Sequence, residues 1–488
     1  MKSISELIKA KPWFGWVFYI FTIVVVFLIS LFASSIIERR TEANLIQQVI
    51  TPIPEMETRN DIWGKNYPRE FETYKSTLDT TFASEHGGSA TIDMLARYPN
   101  LVVLWAGYAF SREYNQGRGH YWAVNDIRKT LRTDVPQPAT CWTCKSTDVP
   151  RMMNKIGIAQ FYKTSWKEMG SEIANPNGCL DCHDSKTMNL HITRPALIEA
   201  FQRQGKDIST ATHQEMRSLV CAQCHVEYYF KGKEDKYLTF PWDKGFSVED
   251  AERYYDSVDF TDWTHSISRT PMLKAQHPDY ELYRMGIHYE RGVSCADCHM
   301  PYKSEGNVKF TNHKIQSPLA NISGSCIVCH RVSENELLNN VYERQNKIFE
   351  LSKIATDGLV KAHIYAKACW DGGATDEQMK QILQLIRHSQ WRWDYVSASH
   401  GGSFHAPLEC ARILGTSIEK SQTAIGLELE MLNKLGKQPP TIPDLSTKEK
   451  AQQYVGLDMQ NLYQSKQEFI NTVLPGWDKL IQERRGKY

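Results

Sequence analysis

Ten of the twelve cysteines in this 488-residue chain fall in pairs separated by two residues. Four pairs are followed at once by histidine: Cys179, Cys182 and His183; Cys221, Cys224 and His225; Cys295, Cys298 and His299; Cys326, Cys329 and His330. Two thiols three positions apart can form thioethers to the two vinyl groups of one haem, and the adjacent imidazole then becomes an axial iron ligand. Zinc ribbons also use paired cysteines, but they have no need of histidine after the second one four times over. A bridge across two residues is a redox device more than a structural one. With 12 Cys and 16 His in 488 positions, chance supplies about 0.01 such pentapeptides, so the series reads as covalent haem attachment. The fifth pair, Cys141 and Cys144, precedes Lys145 instead. Lysine ligates iron only as a neutral amine, and one odd ligand among five sets that haem apart for a different task.

An electron-carrying haem needs a second axial ligand. Of the other histidines, His120, His277, His288, His313, His400 and His405 have Gly or aromatic neighbours that allow a cofactor close. Four of them would saturate the four histidine-ligated haems. The lysine haem would keep an open face where a small molecule binds and reacts. Met300 is next to His299 and is badly placed to serve the same haem from the other side.

In this order the motifs resemble the pentahaem cytochrome c nitrite reductase family, which forms ammonia. The resemblance runs from about Asp61 to about Pro407 and includes Cys141-Trp-Thr-Cys-Lys-Ser, Cys221-Ala-Gln-Cys-His-Val-Glu-Tyr-Tyr, Pro271-Met-Leu-Lys-Ala-Gln-His-Pro, Gly286-Ile-His and Phe404-His-Ala-Pro. It implies five covalently attached haems c, one calcium ion, and six-electron reduction of nitrite to ammonium. Lys145 is implied as the proximal ligand of the catalytic haem. Distal ligands are implied at His120 for the haem of Cys221 and Cys224, His313 for Cys179 and Cys182, His288 for Cys326 and Cys329, and His405 for Cys295 and Cys298. His400 is left without a role.

The family's active-site trio falls on Arg132, Tyr228 and His277. Arg132 and a protonated His277 would steady the nitrite oxygens, and Tyr228 would donate a hydrogen bond or proton. The calcium site falls on Glu227 and Gln276 by side chain and on Tyr228 and Lys274 by backbone carbonyl, hard oxygen donors that suit this ion. The segment between Arg132 and Cys141 is shorter than in the better-known members, which leaves Arg118 and Arg128 as alternatives to Arg132. The resemblance also implies a homodimer through the C-terminal helices and a membrane-associated multihaem quinol oxidase as electron donor. A pure electron carrier would explain five motifs but not the lone lysine. An enzyme for hydroxylamine or sulfite would also use an open site.

These residues need elements to hold them. Lys2, Lys9 and Lys11 precede an apolar run of 25 residues, Trp13 to Ile37, which ends at Glu38, Arg39 and Arg40. The run exceeds the 7 to 15 apolar residues of a cleaved signal and approaches the roughly 20 that span a bilayer. Residues 1–40 are therefore a signal anchor holding a periplasmic body, the alternative being cleavage near Ala33-Ser34-Ser35 and a soluble protein. Residues 41–65, with Pro52 and Pro54, read as a linker. From 66 to 335, Gly, Pro, aromatics and the motif pairs predict chain wrapped around cofactors, with short helices such as 192–205 and 213–222.

From 336 to 488 the texture is that of long helices for packing and dimerisation, with His405 contributed to the haem region. Apolar residues at i, i+3 and i+4 mark 334–366, 376–399, 416–435 and 447–484, the last two divided by Pro439, Pro440 and Pro443. No strand or hairpin signal stands out. The fold class is mainly α, a multihaem cytochrome c with few strands. Cys369 and Cys410, outside any motif, are either a disulfide or two buried thiols. A formal charge of +1, with 41% hydrophobic and 23% charged residues, excludes a disordered chain and gives no polyanion surface, so no nucleic-acid partner is expected. Ten propionates against five ferric porphyrins would shift that charge by roughly −5.

Overall fold

A computed structural model describes residues 8–46, 49–133, 136–306 and 308–485, excepting the side chains of 41–46. Lys2, in the basic flank of the apolar run, lies outside them. The run itself forms one helix, α1 (Trp13–Ile46), and its stretch Trp13–Arg40 is long and apolar enough to cross a membrane. None of that stretch is buried: Trp16, Phe21 and Phe32 face outward among the described residues. Of the expected linker 41–65, residues 41–46 continue α1 and parts of 50–63 pack on the body. Asn66 Oδ1 accepts from the amides of Ile50 and Thr51, and Trp63, on the short helix Asn60–Gly64, buries its ring against Leu180 with its indole N–H on Glu57 O.

The haem-wrapping region is built of short helices and turns. The helix expected at 192–205 covers Pro195–Arg203. That at 213–222 is α2 (His213–Ala222), started by a Thr212–Glu215 capping box. Three small antiparallel hairpins were not foreseen: β1 (Tyr229–Lys231) with β2 (Tyr237–Thr239), β3 (Trp263–Thr264) with β4 (Pro271–Met272), and β5 (Tyr302–Glu305) with β6 (Val308–Thr311). Strands of two to four residues are too short to show a two-residue alternation.

Three long helices follow: α3 (Glu334–Asp371), α4 (Asp376–Ala398) and α5 (Pro407–Lys434). Ala355, Leu359, Ala362 and Ala366 of α3 recur at helical spacing and meet Ile382 and Ile386 of α4 and Ile413, Leu414 and Ile425 of α5 in one core. That core also takes in Val102, Val103, Tyr255 and Met272 from the haem-wrapping region. α5 starts nine residues before the expected 416 because Pro407 stands at its first position, where the missing N–H costs nothing. The expected 447–484 is three helices, Lys448–Tyr454, α6 (Met459–Thr472) and α7 (Leu474–Arg485), the first two parted where Gly456 takes φ +76°.

α7 brings the end of the chain back to the lysine motif. Trp142, between Cys141 and Cys144, stacks on Trp166 at 4.9 Å, and Trp166 meets Trp477 of α7 edge-on at 5.4 Å. Cys369 and Cys410 are both free and buried. The Cys369 thiol donates to Glu428 O on α5 at 3.5 Å, and Cys410 is eighteen residues earlier on that helix, about 27 Å away, far beyond disulfide reach.

Candidate active site

A helical turn places residues i and i+3 on one face, which is why a cysteine pair of this spacing presents both sulfurs together. Cys179–Cys182 and Cys295–His299 are such turns. Their inner aspartates cap them, Asp181 accepting from the Gly178 amide and Asp297 from the Ser294 amide, each at 2.7 Å. The amides of His183, His225 and His330 donate to the carbonyls of Cys179, Cys221 and Cys326 at 2.9 Å. The lysine motif is wound more tightly, with the Lys145 amide on Trp142 O at 2.9 Å. Arg194, fully buried and unnoticed in the sequence, ties two motifs together: it donates to Thr143 O and Ser146 O and pairs with Asp181 at 2.6 Å.

All ten motif cysteines line one cavity of 3810 Å³. Two imidazoles bonded to opposite sides of one metal at about 2 Å each, with each ring centre about 1 Å behind its nitrogen, set their centres about 6 Å apart. The ring centres of His120 and His225 are 6.3 Å apart, His183 and His313 6.2 Å, His288 and His330 6.3 Å, and His299 and His405 6.2 Å. These are the four pairs expected from the resemblance. His277 is also 6.3 Å from His225, but Nδ1 of His225 faces Asp279 at 3.7 Å, which leaves Nε2 for a metal and His120. Burial pushes His120, His183 and His405 down to about 4, so each offers the neutral imidazole that a metal requires. The cavity and the paired rings fit haem.

The cavity walls near the Lys145 motif carry different chemistry. Arg132 lies against Phe110, 4.3 Å from guanidinium carbon to ring centre, and its Nε reaches only the Thr130 hydroxyl at 3.4 Å. The two alternatives are engaged elsewhere: Arg118 is paired with Asp126, and Arg128 donates to Ile173 O at 2.7 Å. Burial raises Tyr228 well above the usual phenol range, so it stays protonated as a donor. His277 is held well below the ordinary imidazole range by burial, then by His400 and Lys145. Its buried Nδ1 has no hydrogen-bond partner among the described residues. His400, left without a role in the sequence, lies 5.1 Å from it, and Asp279 completes the cluster.

Behind this wall Glu227 is buried. Its Oε2 accepts from the Gln276 amide at 2.7 Å and its Oε1 from Tyr255 Oη at 2.8 Å. The Gln276 side chain reaches Lys274 O at 3.1 Å, and the Lys274 ammonium turns away to Asp394 at 2.8 Å. Burial, with Glu281 and Asp262 adding to it, drives Glu227 well above the carboxylate range. A divalent cation there would relieve that cost, so the donor set fits calcium.

The family model for cytochrome c552 matches residues 59–485. The chain belongs to the cytochrome c552 family. A cytochrome c-552 of Parabacteroides distasonis is 57% identical over 484 residues, covering 97% of this chain and 98% of its own. One from Porphyromonas gingivalis is 55% identical and covers 98% and 97%. The solved cytochrome c nitrite reductase of Desulfovibrio desulfuricans, described with two calcium sites in its catalytic subunit, matches with a TM-score of 0.74 at 31% identity, covering 84% of this chain and 91% of its own. In keeping with this family, the chain is a mainly helical multihaem cytochrome that carries covalently attached haem c.

Proposed function

We propose that the chain is a periplasmic, dissimilatory nitrite reductase. It takes nitrite, six electrons and eight protons to ammonium and two waters at the Lys145-ligated haem. The observation that carries this reading is a contrast: four motif histidines each face a second imidazole across a metal-spanning gap, whereas the lysine motif lies within electrostatic reach of Arg132, Tyr228 and His277. The likeness to the Desulfovibrio nitrite reductase supports it.

When bound, the haem irons supply the electron relay and one open coordination position for nitrite. Arg132 orients the anion and offsets its charge, in a walled site where a fixed charge acts more strongly than in water. An anion beside His277 opposes the effects that keep the ring neutral, so the proton arrives with substrate and is held at Nδ1 for delivery to a departing oxygen. Tyr228 Oη donates a hydrogen bond from the same wall. Glu227 and Gln276, with the carbonyls of Tyr228 and Lys274, hold calcium and fix the 274–277 segment that carries His277. The long helices of 336–488 form a homodimer face, α1 anchors the body to the inner membrane, and a membrane-associated multihaem quinol oxidase delivers electrons.

The test is nitrite-dependent ammonium formation by protein carrying five haems by pyridine haemochrome. His277→Ala with five haems is expected to lose most turnover. Five haems with no ammonium, and a fully low-spin spectrum unmoved by nitrite or cyanide, would make the chain an electron carrier instead.

A further inference from the structure

Asp279 stands between two centres. It opens the short helix Asp279–Arg284 two residues after His277, and its amide donates to His277 O at 2.6 Å. Its Oδ1 accepts from Ser399 Oγ at 2.8 Å and from the Gly401 amide at 3.2 Å, so it grips the residues on either side of His400. Its Oδ2 lies 3.7 Å from Nδ1 of His225, a charge contact beyond hydrogen-bond distance. Polar atoms of His277, Asp279 and His400 all lie within 4.8 Å of one another.

The other paired histidines with a defined Nδ1 partner face neutral groups. His183 Nδ1 is 2.8 Å from Met188 O, His299 Nδ1 2.9 Å from Gln316 O, and His313 Nδ1 2.8 Å from Thr311 O. Among the described residues, His225 is the paired histidine whose Nδ1 meets a carboxylate. A carboxylate on the far nitrogen of a metal-bound imidazole fixes the ring and makes it a stronger donor than a carbonyl does. Stronger axial donation favours the ferric state and lowers the reduction potential.

We propose that Asp279 is a positioning residue shared by two centres: its carboxylate strengthens electron donation by His225 to the haem of Cys221 and Cys224, while its bonds to Ser399 and Gly401 hold His400 against His277. This rests on the reading of His225 as an axial ligand. Cys224 lies beside Cys144, so the haem made more reducing is the neighbour of the lysine haem. The same side chain that biases electrons toward the catalytic haem also sets the imidazole pair on its substrate side. Nothing in the Cys-x-x-Cys-His spacing announces this, because a bond to the far side of an axial histidine leaves no mark in a motif.

Asp279→Asn keeps an oxygen for Ser399 and Gly401 but turns a neutral amide to His225. Ser399→Ala removes a bond on the His400 side and leaves the charge. Both are measured on holoprotein with five haems, by redox titration followed optically and by electron paramagnetic resonance. Asp279→Asn is expected to raise the midpoint of one bis-histidine haem, shift that haem's low-spin g-values, leave the other three in place, and lower kcat on the order of 10-fold. Ser399→Ala is expected to leave all potentials at parent values and to change the KM for nitrite. Unchanged potentials and g-values in Asp279→Asn overturn the proposal. Should that variant assemble fewer than five haems, Asp279→Glu, which keeps the charge but displaces it, must still move the one potential, and no movement overturns the proposal equally. A parent protein with fewer than four bis-histidine haems would instead sink the axial-ligand reading beneath it.

Discussion

Arg132 has no carboxylate partner among the described residues and rests on a ring face, which leaves its charge for an anion in the cavity. Arg132→Ala is expected to lower kcat/KM for nitrite by about 100- to 1000-fold at unchanged haem content, the loss typical of removing one preorganised donor. Arg118→Ala, which breaks a pair with Asp126, should cost far less in the same assay. A second residue, Glu428 in α5, lies far from this chemistry. It is fully buried with no hydrogen-bond partner on either carboxylate oxygen among the described residues, and burial raises it well above the usual glutamate value. Below about pH 4.5 both folded and unfolded chains hold its proton; above that, only the folded chain keeps it, so this glutamate erodes stability as pH rises toward its folded value. Glu428→Gln cannot ionise. It should unfold at the same temperature as the parent near pH 4.5 and be more stable at pH 8 by on the order of 1 kcal/mol or more, read by thermal melts at both pH values. An equal gap at the two pH values would place its role elsewhere.

At the scale of elements, the proposed distal ligands come from segments with little regular structure of their own, and close backbone approaches hold them. Gly286 opens the helix Ile287–Glu290 that carries His288, and a Cβ there would press far inside van der Waals contact on the backbone carbonyl of His405. Gly286→Ala is therefore expected to push apart the carriers of two distal ligands. The low-spin signals of the His288 and His405 haems should weaken while the other two bis-histidine signals persist, and four intact signals would refute this. Such dependence explains what could be read in advance. The attachment motifs were legible because covalent chemistry dictates their spacing, and α2, α3 and α4 because caps and apolar repeats are local. The partners His120, His313, His288 and His405 were not derivable from residue types, since a lone histidine has no spacing, and only the likeness to a family assigned them. His400 and Asp279 escaped even that. The hairpins escaped because their strands are shorter than any repeat, and the strap at 49–66 because Pro52 and Pro54 mask a segment that packs through the side chains of Trp63 and Asn66.

For the whole molecule, the polypeptide encloses 3810 Å³ behind ten motif cysteines, against about 300–1000 Å³ for a pocket that takes one small ligand. Apolar walls that large cannot be held open by water without cost, so the space must be filled by something apolar. The fold therefore needs its haems as core, not as ornaments added to a finished body. Ten cysteines are then consumed as thioethers, and Cys369 and Cys410 are too far apart to bridge. Intact mass should equal the chain plus five haems, and alkylation should add nothing to the native protein and two groups after unfolding, with or without reductant. Two groups appearing only with reductant would mean a disulfide and a different path for α5. More than two would mean an unfilled motif, and that preparation should also lose the near-ultraviolet signal of packed aromatics around Trp142, Trp166 and Trp477 if the missing haem is the lysine-ligated one.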